Sequence, residues 1–258
     1  MSNADFHMHS TFSPDSSAGM DDLCRMALER GLKSICFTEH VDFDPADDCY
    51  GFFNYERYKE SVAAARERYR DKLVIGFGAE VSYGTDFVDE IRQFLVTHDL
   101  DYVLGSVHMI EHIFVGDPIY FEGKTEKQAY SLYWDEMLAS AKSGFFTRIG
   151  HFDYLKQARP RDWGEFSFAE WRDRIAEVLT EIIGSGATIE VNTSAIRKGL
   201  GEPFPSWDIL KLYKDLGGEG VTMGSDSHRA RDIASNFDTV GPELERMGFR
   251  VYGAEMLP

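Results

Sequence analysis

His7 and His9 stand one residue apart in DFHMHS, residues 5–10. In an extended strand successive side chains alternate between faces, so residues i and i+2 share one. Both imidazoles therefore look the same way, about one metal ion's width apart. A polar strand edge would explain one such pair equally well, so the other histidines and carboxylates decide. Glu39 and His40 end FTEH, Glu80 ends GAE, and His108 ends GSVH. His151 lies in IGHFD, Asp226 and His228 close GSDSH, and Asp15 follows His9 in the same loop. Neutral imidazole and carboxylate are ordinary ligands for zinc, manganese or iron. Crowded together without a metal, six imidazoles would be costly to desolvate and would repel one another once protonated. With Asp15, Glu80 and Asp226 they make nine candidate ligands, too many for one ion and suited to two or three divalent ions. Glu80 has two carboxylate oxygens and can bridge two metals ~3.5–4 Å apart.

Such a centre needs elements that bring distant residues to one place, and the hydrophobic pattern supplies them. Short apolar runs at 4–9, 33–40, 72–80, 101–108, 145–153, 187–194 and 220–228 read as strands. Amphipathic stretches at 20–31, 55–71, 85–98, 126–144, 168–186 and 206–217 read as helices. A long loop follows the fourth strand, and the tail holds one or two short helices and FRVYGA. Strand–helix alternation repeated about seven times predicts a parallel sheet with helices outside it. An open doubly wound sheet is the alternative, but its glycine-rich phosphate turn after the first strand is missing. The expectation is an α/β chain folded as a distorted (β/α)7 TIM-like barrel, one domain over residues 1–258. Six of the eight histidines then fall at strand C-termini, the end where a parallel barrel gathers its active site. His98 belongs to the opposite end and His112 to a loop.

Composition narrows the partners. A net charge of −17 with no basic cluster argues against nucleic acid, which is held through Lys and Arg on phosphates. No apolar run approaches the roughly 20 residues that cross a bilayer, so no membrane partner is expected. The N-terminus lacks the basic-then-apolar pattern of a secretory signal. Cys24, Cys36 and Cys49 are an odd number without a C-x-x-C pair, as in reduced cytoplasmic proteins.

HMHS, FTEH, GAE, GSVH, IGHFD and GSDSH, in this order, resemble the motifs of the polymerase-and-histidinol-phosphatase (PHP) superfamily. The resemblance runs from residue 5 to about 236, and EVNTSAIRKGLGEPFPS at 190–206 is similar to a segment of its histidinol-phosphatase branch. It implies a distorted (β/α)7 barrel with a trinuclear centre. Carried over residue by residue, His7, His9, Glu80 and Asp226 hold the first metal. Glu80 bridges to the second, completed by His108 and His151, and Asp15, His40 and His228 hold the third. Many members have histidine at the position of Asp15; an oxygen ligand there favours manganese or iron over zinc. The implied reaction is hydrolysis of a small phosphorylated substrate, L-histidinol phosphate, in histidine biosynthesis, with Glu80, Asp226 and Arg197 as catalytic residues.

Divalent metals lower the pKa of bound water toward ~7 and so supply a nucleophile for phosphorus at neutral pH. Guanidinium pairs with phosphate oxygens bidentately, which makes Arg197 and then Arg159 the expected substrate contacts, with Arg161 as well read as a solvating charge. Glu39, Asp42 and Asp153 lie near the mouth as candidate acids, although a carboxylate beside a ligand histidine more often orients it. Asn192 either orders the centre or caps a turn. The rival readings are a phosphoesterase for nucleotides or other small phosphate esters, and a non-catalytic metal-binding module. The complete ligand set disfavours the second.

Overall fold

A computed structural model describes residues 3–164 and 166–257. Its first half runs β1 (Ala4–Asp5), α1 (Met20–Glu29), β2 (Ser34–Val41), α2 (Tyr55–Tyr69), β3 (Val74–Ser82), α3 (Val88–Thr97) and β4 (Tyr102–Ser106). A hairpin follows, β5 (Met109–Ile110) with β6 (Ile113–Phe114), and then α4 (Glu126–Ser143), β7 (Arg148–Ile149) and α5 (Phe168–Gly184). The chain continues as β8 (Thr188–Asn192), the single turn α6 (Ser194–Arg197), α7 (Trp207–Asp215), β9 (Gly220–Gly224), α8 (Phe237–Arg246) and β10 (Arg250–Val251).

The strands β2 and β3 are buried along almost their whole length, as expected where helices cover a parallel sheet on one side and the barrel interior fills the other. Local chemistry sets the helix ends. Thr125 and Gln128 form a reciprocal capping box at the start of α4, and Gly144 ends it at φ 67°. Asn54 accepts the Arg57 N–H and starts α2.

The strand order is β1-β2-β3-β4-β7-β8-β9-β10, with every pairing parallel. The residues just beyond β1 close it into a barrel. On one side Phe6 N donates to Met223 O at 3.0 Å, Asp226 N to His7 O at 2.8 Å, and His9 N to Ser227 O at 2.9 Å. On the other, Thr38 N donates to Met8 O at 2.9 Å. Residues 6–9 thus lie between β2 and β9, and seven parallel strands form the ring. The TIM-like expectation holds, with β10 added against Gly220 and Val221 of β9.

Three local expectations are corrected. The segment after β4 is a hairpin, turned by Glu111 and His112 at φ 53° and 61°, the left-handed pair of a two-residue turn. The fifth strand is short because the His151 N–H leaves the ladder for the Glu190 side chain at 2.9 Å. The sixth stops at Asn192, whose Oδ1 accepts the Ser194 N–H at 2.9 Å and turns the chain into α6. Among the described residues no helix is long and apolar enough to cross a membrane.

Asp5 fixes the seam. Fully buried, it accepts Ser225 N at 2.9 Å and His7 N at 3.3 Å through Oδ1, and Ala234 N at 2.9 Å through Oδ2. Asp5→Ala strands three backbone donors, two of them buried, and should lower unfolding free energy by about 3 kcal/mol, measured by urea denaturation. An unchanged midpoint and slope would show that the seam holds without it.

Candidate metal centre and cavity

The seven ring strands end around one mouth, and the nine expected ligands meet there. His7 Nε2 lies 3.0 Å from His9 Nε2 and 3.1 Å from Glu80 Oε2. His9 Nε2 is 3.4 Å from the same Glu80 oxygen, and Asp226 Oδ1 is 3.8 Å from His7 Nε2 and 3.6 Å from His9 Nε2. Around the other Glu80 oxygen stand His151 Nε2 at 2.7 Å and His108 Nε2 at 3.3 Å, themselves 3.4 Å apart. Toward solvent, Asp15 Oδ2 faces His228 Nε2 at 2.9 Å and His40 Nε2 at 3.5 Å.

The tautomers show what these groups await. The His7 Nδ1–H donates to Glu190 Oε1 at 2.7 Å, which leaves a lone pair on Nε2. His9 Nδ1 faces Ser13 Oγ at 3.3 Å, and Ser13 sends its own hydrogen to Glu39 Oε2 at 2.7 Å, so His9 also keeps its Nε2 lone pair. The two ring nitrogens and the two carboxylate oxygens therefore point electron pairs at one spot. With metal–ligand bonds of about 2.0–2.2 Å, the edges of a tetrahedral site are about 3.3–3.6 Å, close to the separations found. His40 turns its other nitrogen, Nδ1, toward Glu80 Oε2 at 3.3 Å and Asp42 Oδ2 at 4.0 Å. The donor set fits divalent metal ions.

Electrostatics agree. Burial opposes a charge on His7, yet Glu190, Glu80 and Asp226 outweigh it and raise its pKa well above the ordinary value. Burial likewise opposes charge on His40, but Asp15, Glu80 and Asp42 push its pKa up to about 9. Burial would raise Glu80 and Asp226, but the imidazoles around them, His7 foremost, hold both carboxyls well below their usual range. The pKa of His9 falls well below the ordinary value through burial and the neighbouring His40 and His228. The field favours a positive charge in the middle of the cluster, and a metal ion is such a charge.

Several carboxylates hold the ligands in place. Glu39 accepts the Ser10 amide and hydroxyl and the Ser13 hydroxyl, and Asp42 Oδ1 meets His108 Nδ1 at 3.3 Å. Asp153 Oδ2 is bound by Lys156 Nζ at 2.9 Å and Ser206 N at 3.0 Å. None of these three carboxylates is among the residues that line the cavity described below. Glu190 was not singled out from sequence, because it reads as one polar residue inside a strand. It grips both His7 Nδ1 and the His151 amide. Gly224 makes room for it, since a Cβ there would lie 2.0 Å from Glu190 Oε1. Asn192 does both things considered for it, donating to Glu190 Oε2 at 3.2 Å while Oδ1 starts α6.

The mouth opens into a cavity of about 620 Å³. Asp15, His40, Glu80, His108, His151, Asp226 and His228 line its floor, and Arg197, Lys198 and Tyr154 form part of its wall. Arg197 gives Nη1 to Ser225 O at 2.8 Å and Nη2 to Asp226 O at 3.0 Å, bracing the turn where Asp226 sits at φ 51°. The structure does not bring Arg159 here. Its guanidinium is spent on Glu126 Oε1 at 2.6 Å and the carbonyls of Trp163 and Gly164. Arg161 is exposed on a short 3-10 turn. Lys198 was missed, since a lysine beside an arginine reads as solvation; its Nζ lies 4.8 Å from the centre of the Tyr154 ring. Desolvation lowers its pKa, against the attraction of Asp226. As expected, His112 pairs with Asp44 at 2.8 Å and His98 with Phe94 O at 2.9 Å, both outside the centre.

Comparison with known proteins agrees with this geometry. The PHP domain model matches residues 5–194. The chain is 32% identical over 252 residues to a histidinol-phosphatase of Lactococcus lactis subsp. lactis (strain IL1403), covering 96% of this chain and 93% of the relative. It is 28% identical over 270 residues to a histidinol-phosphatase of Bacillus subtilis (strain 168), covering 92% and 98%. A crystal structure of histidinol phosphate phosphatase from Lactococcus lactis, complexed with zinc, L-histidinol and phosphate, matches at a TM-score of 0.88 and 30% identity, over 96% of this chain and 94% of that one.

Glu190→Ala removes the acceptor that fixes the His7 tautomer. Metal affinity at the deepest site should fall about 10- to 100-fold in competition against a coloured chelator. Affinity equal to that of the unaltered protein would show that the strand alone orients His7.

Proposed function

The chain belongs to the PHP domain family, and on that premise we propose that it hydrolyses L-histidinol phosphate to L-histidinol and phosphate with two to three divalent metal ions. The observation that carries this reading is the Glu80 carboxylate, which turns one oxygen to His7 and His9 and the other to His108 and His151. A carboxylate so placed would serve two ions at once. When bound, the ions supply an activated water at neutral pH and neutralise the phosphoryl oxygens.

The chain's own residues do the rest. His7, His9, Glu80 and Asp226 would hold the first ion, Glu80, His108 and His151 the second, and Asp15, His40 and His228 the third. Glu190, Glu39 and Asp42 keep these imidazoles in register. Arg197 has two of its five N–H groups committed to the Ser225 and Asp226 carbonyls. It positions Asp226 and adds a fixed positive charge to the wall; its Nε faces Asp232 Oδ1 at 4.0 Å, which leaves the second N–H of each terminal nitrogen for a phosphate oxygen. Lys198 adds a second charge beside it, so anions are drawn to that side despite the acidic protein.

The resemblance to a phosphatase complexed with histidinol and phosphate supports the substrate. A phosphate-release panel on metal-loaded protein tests it, with histidinol phosphate, nucleoside monophosphates and short DNA. Histidinol phosphate should exceed the nucleotides by at least about 100-fold in kcat/KM, a difference of ~2.7 kcal/mol in transition-state binding. Nucleotides turned over as fast would assign a different ester.

A further inference from the structure

Lys156 is a buried ammonium outside the cavity. It sits on the 3-10 turn Tyr154–Ala158, just beyond His151, with its side chain 7% exposed. Its Nζ reaches Asp153 Oδ2 at 2.9 Å, Glu202 Oε1 at 3.1 Å and the Pro203 carbonyl at 2.9 Å. An ammonium has three N–H donors, and here each has an acceptor. Lys156, Asp153 and Glu202 are not among the residues that line the cavity. Desolvation offsets much of the attraction in such a cluster, so stability alone is a weak reason for it. What it does supply is geometry, because each oxygen must meet its donor.

The geometry belongs to the segment after β8. Residues 193–203 leave the barrel at Asn192 and return at Phe204, where the two backbones pair. Asn192 N donates to Phe204 O at 2.6 Å and Phe204 N to Asn192 O at 2.9 Å. Arg197 and Lys198 lie on the outgoing limb, and residues 202–206 make the return. Lys156 grips that return through Glu202 and Pro203, and Asp153 Oδ2 accepts the Ser206 N–H at 3.0 Å. Arg197 has its own anchor in the Ser225 and Asp226 carbonyls. Lys198 rests on rings instead, its Nζ 4.8 Å from the centre of Tyr154 and 5.9 Å from that of Phe204. Those two rings, 5.5 Å apart, belong to the two pieces that Lys156 joins. The Lys156 ammonium itself lies 5.1 Å from the centre of Phe204.

We propose that Lys156 is a positioning residue: it ties the turn after His151 to the returning limb, and so sets the two rings that aim Lys198 at a phosphate in the cavity. This deepens the phosphatase reading above and rests on the basic wall assigned there. Asp153 and Glu202 neutralise Lys156, which keeps it from repelling Lys198 across the Phe204 ring.

Lys156→Met keeps an apolar stem of similar length and removes the ammonium. Lys156→Gln serves in its place if that variant fails to fold, since it keeps two donors but cannot satisfy all three acceptors. Titration calorimetry of inorganic phosphate into metal-loaded protein reads the wall without turnover of any ester, so the substrate reading stands or falls separately in the phosphate-release panel. In a double-mutant cycle, Lys156→Met and Lys198→Ala should each weaken phosphate binding about 10-fold, with bound metal unchanged. The double variant should also bind about 10-fold more weakly, because Lys156 acts through Lys198. A loss of about 100-fold, the product of the two, would show independent action and overturn the proposal. Unchanged phosphate affinity in Lys156→Met overturns it too, as does loss of a metal equivalent, which would place the effect on His151.

Discussion

Between His7 and His9 two ring nitrogens are held 3.0 Å apart, each with its hydrogen already given away on the far side of the ring. Glu80 and Asp226 bring carboxylate oxygens to the same spot. Carboxylates on every side of His7 favour a positive charge at this buried spot. A metal ion is such a charge. The rest of the structure brings these groups to one spot.

The barrel does so by making the ligands share backbone. Residues 6–9 hydrogen-bond to β9 on one side and to β2 on the other, so His7 and His9 are tied to the strands that carry Asp226 and His40. The Asp226 amide donates to the carbonyl of His7 itself. Glu190, from β8, spans to His7 and to the His151 backbone, and Gly224 leaves it the space. His40 and Glu80 lie within strands, and His7, His9, His108, His151, Asp226 and His228 follow within a few residues of strand ends. Asp15 lies farther along the loop after His9, half exposed, and faces His228 and His40.

Much of this was legible in the sequence, for a physical reason. Ligand residues must sit at strand ends, and strands announce themselves by apolar runs, so nine donors could be placed before any coordinates. What escaped was the chemistry carried by single residues without a pattern. Glu190 and Asp5 look like ordinary polar residues in strands, and only folding shows which buried donors they satisfy. Arg159 was expected at the substrate because its loop leaves the active face, but Glu126 on α4 and two carbonyls draw its guanidinium away. Lys198 was passed over for the opposite reason, as a charge that the fold turns inward. The hairpin at 109–114 depends on two non-glycine residues in left-handed conformation, which their types do not advertise.

The central claim is that the lone pairs converging on Glu80 are metal ligands. Elemental analysis of protein purified without chelator tests it most directly. Nine ligands at four to six per ion, with a bridging carboxylate, predict two to three equivalents of zinc, manganese or iron per chain, estimated roughly from coordination number. Less than one equivalent, with none gained on incubation with these ions, would contradict it.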